Sequence, residues 1–398
     1  MEGVSFEGLA IVAAVAFVVP LVLGFFPGLR VPSVVVEIAA GAVLGPSVLG
    51  WVQLDEPIRI FSQLGMASLL FLAGMEIELD QLRGGLLRVS LRGIVISLTL
   101  AAAFSYLLHA LALIESPLFV AVLLSSSAIG IVIPLLKDAG EMGTPFGQAM
   151  VVGISIADFG MVLMLTLLFS AGGGGPLKTL ALLGMVGLLS ALTATAGGRL
   201  GRWERLSLTL TRLQDTTAMI RVRGAALLLI LFIVVVEYIG LELMLGAFAA
   251  GALLGHVERS SHHEGAQMQT HPEFQMRLQA VGFGIFIPVF FVASGIQLDL
   301  RSLTAGSSML ALVPVFLAGL LIARGVPALV YRKLAGPRLT LVAALLQATS
   351  LPLLVAGSRI GVELGRITEA TAAALISAGM LSMLIFPSAA LFLLQKKS

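Results

Sequence analysis

An all-α polytopic membrane protein is the fold class the sequence predicts, arranged as two inverted repeats of about six helices each around a linker helix. Three observations carry this. Of 398 residues, 58% are hydrophobic and only 12% are charged, with a mean hydropathy of +1.05. A water-soluble domain buries one face of most helices and needs far less apolar surface. Apolar runs of membrane-crossing length recur about thirteen times. Two glycine-containing motifs of the first half return in the second half in the same order.

The runs fall at 8–26, 33–50, 60–78, 90–113, 117–136 and 144–170, then 176–198, then 219–238, 240–256, 278–297, 306–331, 338–358 and 367–394. Gly and Pro inside them mark kinks, because neighbouring helices re-satisfy freed backbone groups in lipid. The leading segment carries Glu2 and Glu7 where a signal peptide has basic residues, and no small-residue cleavage site follows. The first run is therefore expected to be retained as a span. With 44 glycines, helices can pack closely. The chain has no cysteine, which excludes disulfides and thiolate metal sites.

Lys and Arg set the orientation. The connection 199–223 holds Arg199, Arg202, Arg205, Arg212, Arg221 and Arg223 against Glu204 and Asp215, and is expected to be cytoplasmic. By alternation Arg83, Arg88, Lys137, Arg332, Lys333, Arg338, Lys396 and Lys397 fall on the same side. The opposite loops carry Asp55, Glu56, Glu115, Glu237, Glu242 and Glu363. The N-terminus then lies outside and the C-terminus inside.

The segment Ala39-Ala40-Gly41-Ala42-Val43-Leu44-Gly45 recurs as Ala249-Ala250-Gly251-Ala252-Leu253-Leu254-Gly255, and Gly74-Met75-Glu76-Ile77-Glu78-Leu79 as Gly295-Ile296-Gln297-Leu298-Asp299-Leu300. This pairs the first six spans with the last six. An odd linker between equal halves inverts the second, which is the architecture of alternating-access transporters. The whole chain, 1–398, reads as one integral membrane domain: a first repeat over 1–170, linker helix and cytoplasmic loop over 171–217, and a second repeat over 218–398.

Asp158, in Ser155-Ile156-Ala157-Asp158-Phe159-Gly160, is the only acid in the run 144–170. A carboxylate at the middle of a membrane helix costs about 2.5–3.5 kcal/mol on insertion scales, so it faces a bundle interior or a water-filled cavity. It is either a structural Asp neutralised by a neighbour or a site that holds a proton and a cation in turn. Span five contains Ser125-Ser126-Ser127-Ala128-Ile129-Gly130 and Pro134; span twelve contains Gln347-Ala348-Thr349-Ser350-Leu351-Pro352. Hydroxyls and a breaker at corresponding places predict a pair of helices interrupted at mid-membrane, whose freed carbonyls and hydroxyls replace part of a cation's hydration shell. Ser126, Ser127, Thr349 and Ser350 are the candidate ligands beside Asp158, with Gln347 and Ser155 in support. Arg324 stays charged in the membrane and needs a counter-charge or a carbonyl cluster; Asp158 or the ends of the broken helices would supply it. Glu37 is read as structural or as lining an approach. Glu76 and Glu78 are read as solvated, and the loop histidines His256, His262, His263 and His271 match no zinc spacing. No phosphate loop, Ser-His-Asp arrangement or nucleic-acid patch is present, and no cofactor is expected.

The motifs Val35-Val36-Glu37-Ile38-Ala39-Ala40-Gly41-Ala42-Val43-Leu44-Gly45-Pro46, Phe71-Leu72-Ala73-Gly74-Met75-Glu76, Ser126-Ser127, Asp158, Phe290-Phe291-Val292-Ala293-Ser294-Gly295 and Arg324 together resemble the bacterial monovalent cation:proton antiporter superfamily, in its thirteen-helix sodium/proton and potassium-efflux branch. The resemblance covers nearly the whole chain. It implies a dimerisation domain, a core domain of six helices with crossed broken helices beside the ion-binding Asp158, a homodimer in the bacterial cell membrane, and an elevator-like movement. It places Ser126, Ser127 and Thr349 at the ion site and Arg324 as its basic residue. Two positions depart from the pattern. Ala157 stands where relatives carry Asp, Asn or Gln before the essential Asp, which favours electroneutral exchange. Gln347-Ala348-Thr349-Ser350 replaces a Gly- and Glu-containing stretch. A nucleotide-gated regulatory domain is not expected.

The resulting reading is a secondary transporter that exchanges Na⁺ or K⁺ for protons through Asp158. Burial opposes the carboxylate charge and Arg324 supports it, so one site serves both ions. Two alternatives stay open: a cation-coupled symporter in which Arg324 binds an organic anion, and a non-transporting ion sensor. An intramembrane aspartyl protease needs two juxtaposed carboxylates, and only Asp158 lies near the midplane.

Overall fold

The computed structural model describes residues 5–26, 31–75, 85–128, 132, 135–136, 140–141, 144–169, 219–238, 243–260, 272–298, 301 and 307–395. Among these every regular element is helical. The expected linker span 176–198, the arginines of 199–218, Lys137, Glu76, Glu78, and His262, His263 and His271 lie outside the described residues, as does the side chain of His256. Eight of the described helices are long and apolar enough to cross a membrane.

The helices are α1 (Glu7–Phe25), α2 (Ser33–Leu44), α3 (Glu56–Met75), α4 (Gly85–Ala110), α5 (Pro117–Leu124), α6 (Pro145–Phe169), α7 (Ile220–Tyr238), α8 (Leu243–Ser260), α9 (Pro272–Val281), α10 (Ile287–Ile296), α11 (Ser307–Leu320), α12 (Arg332–Ala348), α13 (Pro352–Glu363) and α14 (Glu369–Gln395). Their packing falls into two units, one of residues 1–64, 80–161 and 288–398 and the other of 65–79 and 162–287.

Several ends differ from the apolar runs for local reasons. The second run extends to 50, but α2 stops at Leu44 because Gly45 is extended (ψ 176°) and Pro46 follows. The chain then closes a turn in which the N–H of Leu49 donates to the Val43 carbonyl and that of Trp51 to Leu44. A π turn, Gly282–Phe286, joins α9 to α10 just ahead of Pro288, and another, Leu321–Gly325, follows α11 ahead of Pro327. Proline lacks the N–H that the carbonyl four residues earlier would accept, so the helix loosens there. The helical segment from Arg332, which follows a 3₁₀ turn, is interrupted at Gly336 (φ 76°, ψ 172°) before Pro337, close to the start at 338 expected for span twelve.

In the first unit, α4 runs antiparallel to α11 and its continuation: Gly319 receives the Phe104 ring and Gly93 faces Val330. Val132, Leu136, Phe146, Met150 and Ile154 pack with Tyr331, Val342 and Leu346 into one core. Arg338 donates from Nε to the Leu393 carbonyl and from Nη2 to that of Leu394, both at 2.7 Å. A cation thus occupies the negative C-terminal end of α14. In the second unit, Arg221 pairs with Glu258 at 3.2 Å and lies 5.2 Å over the Phe274 ring, which ties α7, α8 and α9 together.

The repeated glycines are the points of closest backbone approach. In the first unit a Cβ on Gly41 would overlap the carbonyl oxygen of Val292, and one on Gly295 the carbonyl of Ile38. In the second unit a Cβ on Gly74 would overlap the Phe248 carbonyl, and one on Gly251 that of Phe71. Small residues let helix backbones meet where lipid gives no hydrophobic drive for association. Gly24 and Gly224, by contrast, have open space around them. Gly41→Ala and Gly251→Ala are expected to lower the apparent melting temperature in detergent, the overpacking costing about 1–3 kcal/mol. Gly24→Ala and Gly224→Ala should leave it unchanged or raise it, since alanine is favoured over glycine in a helix by about 0.8–1.0 kcal/mol.

Candidate functional site

Two interrupted spans, both in the first unit, meet at the candidate site. The helix α5 ends at Leu124, and Ser125, Ser126 and Ser127 continue beyond it. A helix end leaves carbonyls without donors. Here Ser125 Oγ donates to the Val122 carbonyl at 2.6 Å and Ser126 Oγ to that of Leu123 at 2.8 Å. The second interruption follows Ala348. Thr349 is extended (ψ 117°); its N–H donates to the Leu346 carbonyl at 3.3 Å and its hydroxyl to that of Leu345 at 3.1 Å. Pro352 then opens α13 at a position that has no use for an N–H.

The two breaks bond to each other. Ser126 Oγ and Ser350 Oγ are 2.6 Å apart. Either hydroxyl can donate in this pair, since the Leu123 carbonyl beside Ser126 Oγ also accepts the Ser126 N–H at 3.1 Å. Ser127 Oγ donates to the Gln347 carbonyl at 2.8 Å and accepts from Arg324 Nε at 2.9 Å. The Ser127 N–H donates to Asp158 Oδ1 at 2.8 Å. Two hydrogen-bonded groups result, one joining Ser350, Ser126 and the Leu123 carbonyl, the other running from Arg324 to Ser127 to the Gln347 carbonyl. Each crosses from one broken span to the other.

The charged members are buried, Asp158 at 4% exposure and Arg324 at 2%. Asp158 comes from the middle of α6. Arg324 comes from the π turn ahead of Pro327, and its Nη2 has no hydrogen-bond partner among the described residues. A buried guanidinium needs hydrogen-bond acceptors, and Ser127 Oγ supplies one at Nε. The C-terminal ends of α5 and α12 both point into the crossing and add partial negative charge. The arrangement can therefore hold a small cation among oxygens while a fixed guanidinium remains as counterweight when no cation is present.

The structure brings Asp158, Ser126, Ser127, Ser350, Arg324 and the backbone of Gln347 together. The Gln347 side chain turns away to Met150 Sδ at 3.4 Å, so its carbonyl is the group in use. Ser155 is buried one turn before Asp158. Glu37 is placed separately, buried on α2. Two residues were not picked out by sequence reasoning. Ser382 of α14 accepts the Ser350 N–H at 3.1 Å and lies within 3.1 Å of the Ser350 carbonyl oxygen. Arg359 of α13 donates to Ser62 Oγ at 2.8 Å and lies 4.0 Å from Glu363. A lone Ser in an apolar run carries no signal of its own, and Arg359 falls one residue past the run 338–358.

The sodium/hydrogen exchanger transmembrane family model matches residues 13–396. The putative Na⁺/H⁺ antiporter YjbQ of Bacillus subtilis is 27% identical over 97% of this chain and 63% of its own length. The probable Na⁺/H⁺ antiporter 3 of Methanocaldococcus jannaschii is 27% identical over 73% of this chain and 71% of its own. The glutathione-regulated potassium-efflux system protein KefC of Klebsiella pneumoniae is 27% identical over 75% of this chain and 45% of its own. The chain thus spans less than two thirds of the Bacillus subtilis relative. The solved sodium proton antiporter MjNhaP1 of Methanocaldococcus jannaschii superposes with a TM-score of 0.67 over 98% of both chains at 17% identity, a likeness of fold.

Ser127→Ala removes the acceptor of Arg324 Nε and the donor to Gln347, leaving both buried and unpaired, a loss of about 1–3 kcal/mol for each group. Ser125→Ala frees only a carbonyl that still accepts the Ser125 N–H. Thermal unfolding in one detergent is expected to show a clear loss for Ser127→Ala and a change under about 1 kcal/mol for Ser125→Ala.

Proposed function

The chain belongs to the transmembrane sodium/hydrogen exchanger family, and from that premise we propose that it exchanges Na⁺ or K⁺ for H⁺ across the membrane by alternating access. The family is one of transporters, not enzymes. The observation that carries the reading is the placement of Asp158: a buried carboxylate on the backbone amide of one interrupted helix, where that helix crosses a second one.

The Asp158 carboxylate takes a proton or a monovalent cation in turn. Oxygens of Ser126, Ser127 and Ser350 and carbonyls of the two breaks complete the cation's shell. Arg324, linked to Asp158 through Ser127, supports the carboxylate once both ions have left. Competition for one carboxylate gives exchange, provided the site reorients only when occupied. Ala157 supplies no second polar group beside it. One acid that trades one proton for one monovalent cation makes the exchange electroneutral.

The two glycine crossings support the inverted repeat. Gly41 and Gly251 are one motif, and Gly74 and Gly295 the other; Gly41 meets the segment of Gly295, and Gly251 the segment of Gly74. A two-fold relation between the halves exchanges one crossing with the other. The likeness to the superfamily supports a homodimer in a bacterial cell membrane and an elevator-like movement of the core. The placement of Lys and Arg supports an outside N-terminus and a cytoplasmic C-terminus.

In proteoliposomes carrying an imposed pH gradient, adding Na⁺, K⁺ or Li⁺ is expected to release protons with at least one of these ions, without dependence on a clamped membrane potential. Asp158→Asn should reduce the release to that of empty vesicles. Exchange by Asp158→Asn at the wild-type rate would defeat the reading. Uptake of an added organic acid driven by a cation gradient, with no proton release, would favour the symporter.

A further inference from the structure

The break in span five is held by a group on span six: the Ser127 N–H donates to Asp158 at 2.8 Å. The break in span twelve is held by a group on span thirteen: the Ser350 N–H donates to Ser382 Oγ at 3.1 Å. Spans six and thirteen are counterparts under the repeat, and so are spans five and twelve. Ser126 and Ser350, the two hydroxyls that touch across the crossing, lie 224 residues apart. Asp158 and Ser382 are separated by the same interval. In each half, a side chain one helix further along takes up an amide that the broken helix has lost.

Ser382 does more for its break than Asp158 does for the other. Its single proton lies between the Ser350 carbonyl oxygen at 3.1 Å and the Gly379 carbonyl oxygen at 2.7 Å. The same hydroxyl therefore lies against both backbone groups of Ser350. It is fully buried, so water does not take its place. Gly379 makes room for this: a Cβ there would fall 2.8 Å from the Ser350 carbonyl oxygen. Gly379 and Ser382, one turn apart on α14, form a notch that receives the Ser350 peptide. With both peptide groups fixed, the Ser350 side chain is left directed at Ser126, with the two hydroxyl oxygens 2.6 Å apart.

We propose that Ser382 is a positioning residue for the cation site, the neutral counterpart of Asp158, which sets cation affinity by fixing Ser350 at the crossing. This rests on the exchange reading given above. Ser382 carries no proton of the exchange and acts through Ser350 alone. Its neutrality leaves the crossing with one ionisable carboxylate although the repeat supplies two equivalent positions.

The test is cation-driven proton release in proteoliposomes over a range of Na⁺ or K⁺ concentrations, with wild type, Ser382→Ala, Ser382→Thr, Ser350→Ala and the Ser350→Ala/Ser382→Ala pair. Ser382→Ala is expected to raise KM about five- to tenfold, the size of one or two lost hydrogen bonds, and to change the maximal rate less. Ser382→Thr, which keeps the hydroxyl, should restore KM. In the Ser350→Ala background, removing Ser382 should add no further rise, because the effect passes through Ser350. If Ser382→Ala does not reconstitute, Ser382→Cys keeps the volume with a weaker hydrogen-bonding group and should raise KM by a smaller factor. Exchange by Ser382→Ala with wild-type KM, or a rise in KM that persists undiminished in the Ser350→Ala background, overturns the proposal and leaves the role of Asp158 intact. Absence of exchange in the wild type overturns both.

Discussion

A helix broken in a membrane exposes backbone groups that lipid cannot satisfy, each at a cost of several kcal/mol. The structure contains two such breaks and meets the cost by placing them against one another. Ser127 of one break bonds the last turn of the other, and Ser350 of the second bonds Ser126 of the first. Much of the polar chemistry in this unit follows from that arrangement. Hydroxyls cap the carbonyls of α5 and α12, Asp158 takes an amide, and Ser382 takes an amide and faces a carbonyl. The Asp158 carboxylate thus takes up an amide that a helix break has freed, at the same place where the proposed function puts its charge.

The charge balance explains why Arg324 sits where it does. Two helix C-termini and a carboxylate make the crossing attractive to cations. In the proposed exchange, the guanidinium linked to Asp158 through Ser127 limits that attraction, so that a bound cation leaves again. The π turn is what brings Arg324 to Ser127. A regular helix ahead of Pro327 would rotate the side chain by a fraction of a turn, and proline forbids the regular hydrogen bond there. Helix irregularity, which costs stability, is used here to aim one buried side chain.

Much of this was legible in the sequence because membrane chemistry leaves strong signals. Among the described residues, apolar runs located most of the helices, and Ser and Pro in spans five and twelve marked both interruptions. A lone acid among apolar residues identified Asp158, as a lone base identified Arg324. Hydrogen-bond direction was not legible. Thr349 and Ser350 are adjacent hydroxyls in one break, yet Thr349 turns back to its own helix while Ser350 reaches across, and only the backbone angles between them decide this. Gln347 offers its carbonyl and not its amide for the same reason. The end of α2 at Gly45 was hidden because the apolar run continues through the turn. Ser382 was hidden because its importance comes from the peptide it faces.

The repeat, taken as proposed, separates what a transporter of this kind must keep equal from what it must not. The glycine crossings are matched, Gly41 with Gly251 and Gly74 with Gly295, and each pair lets two backbones approach in an equivalent way. Equal crossings give the two halves similar packing, and a site between similar halves can face either side of the membrane at similar free energy. At each break a side chain one helix further along takes up an amide, but the chemistry differs: a carboxylate caps one and a hydroxyl the other. Two carboxylates so close would repel, and one would remain protonated or demand a second cation. One carboxylate opposite one hydroxyl removes that conflict. In the exchange proposed above, one carboxylate opposite one hydroxyl leaves one group on which a proton is traded for a cation.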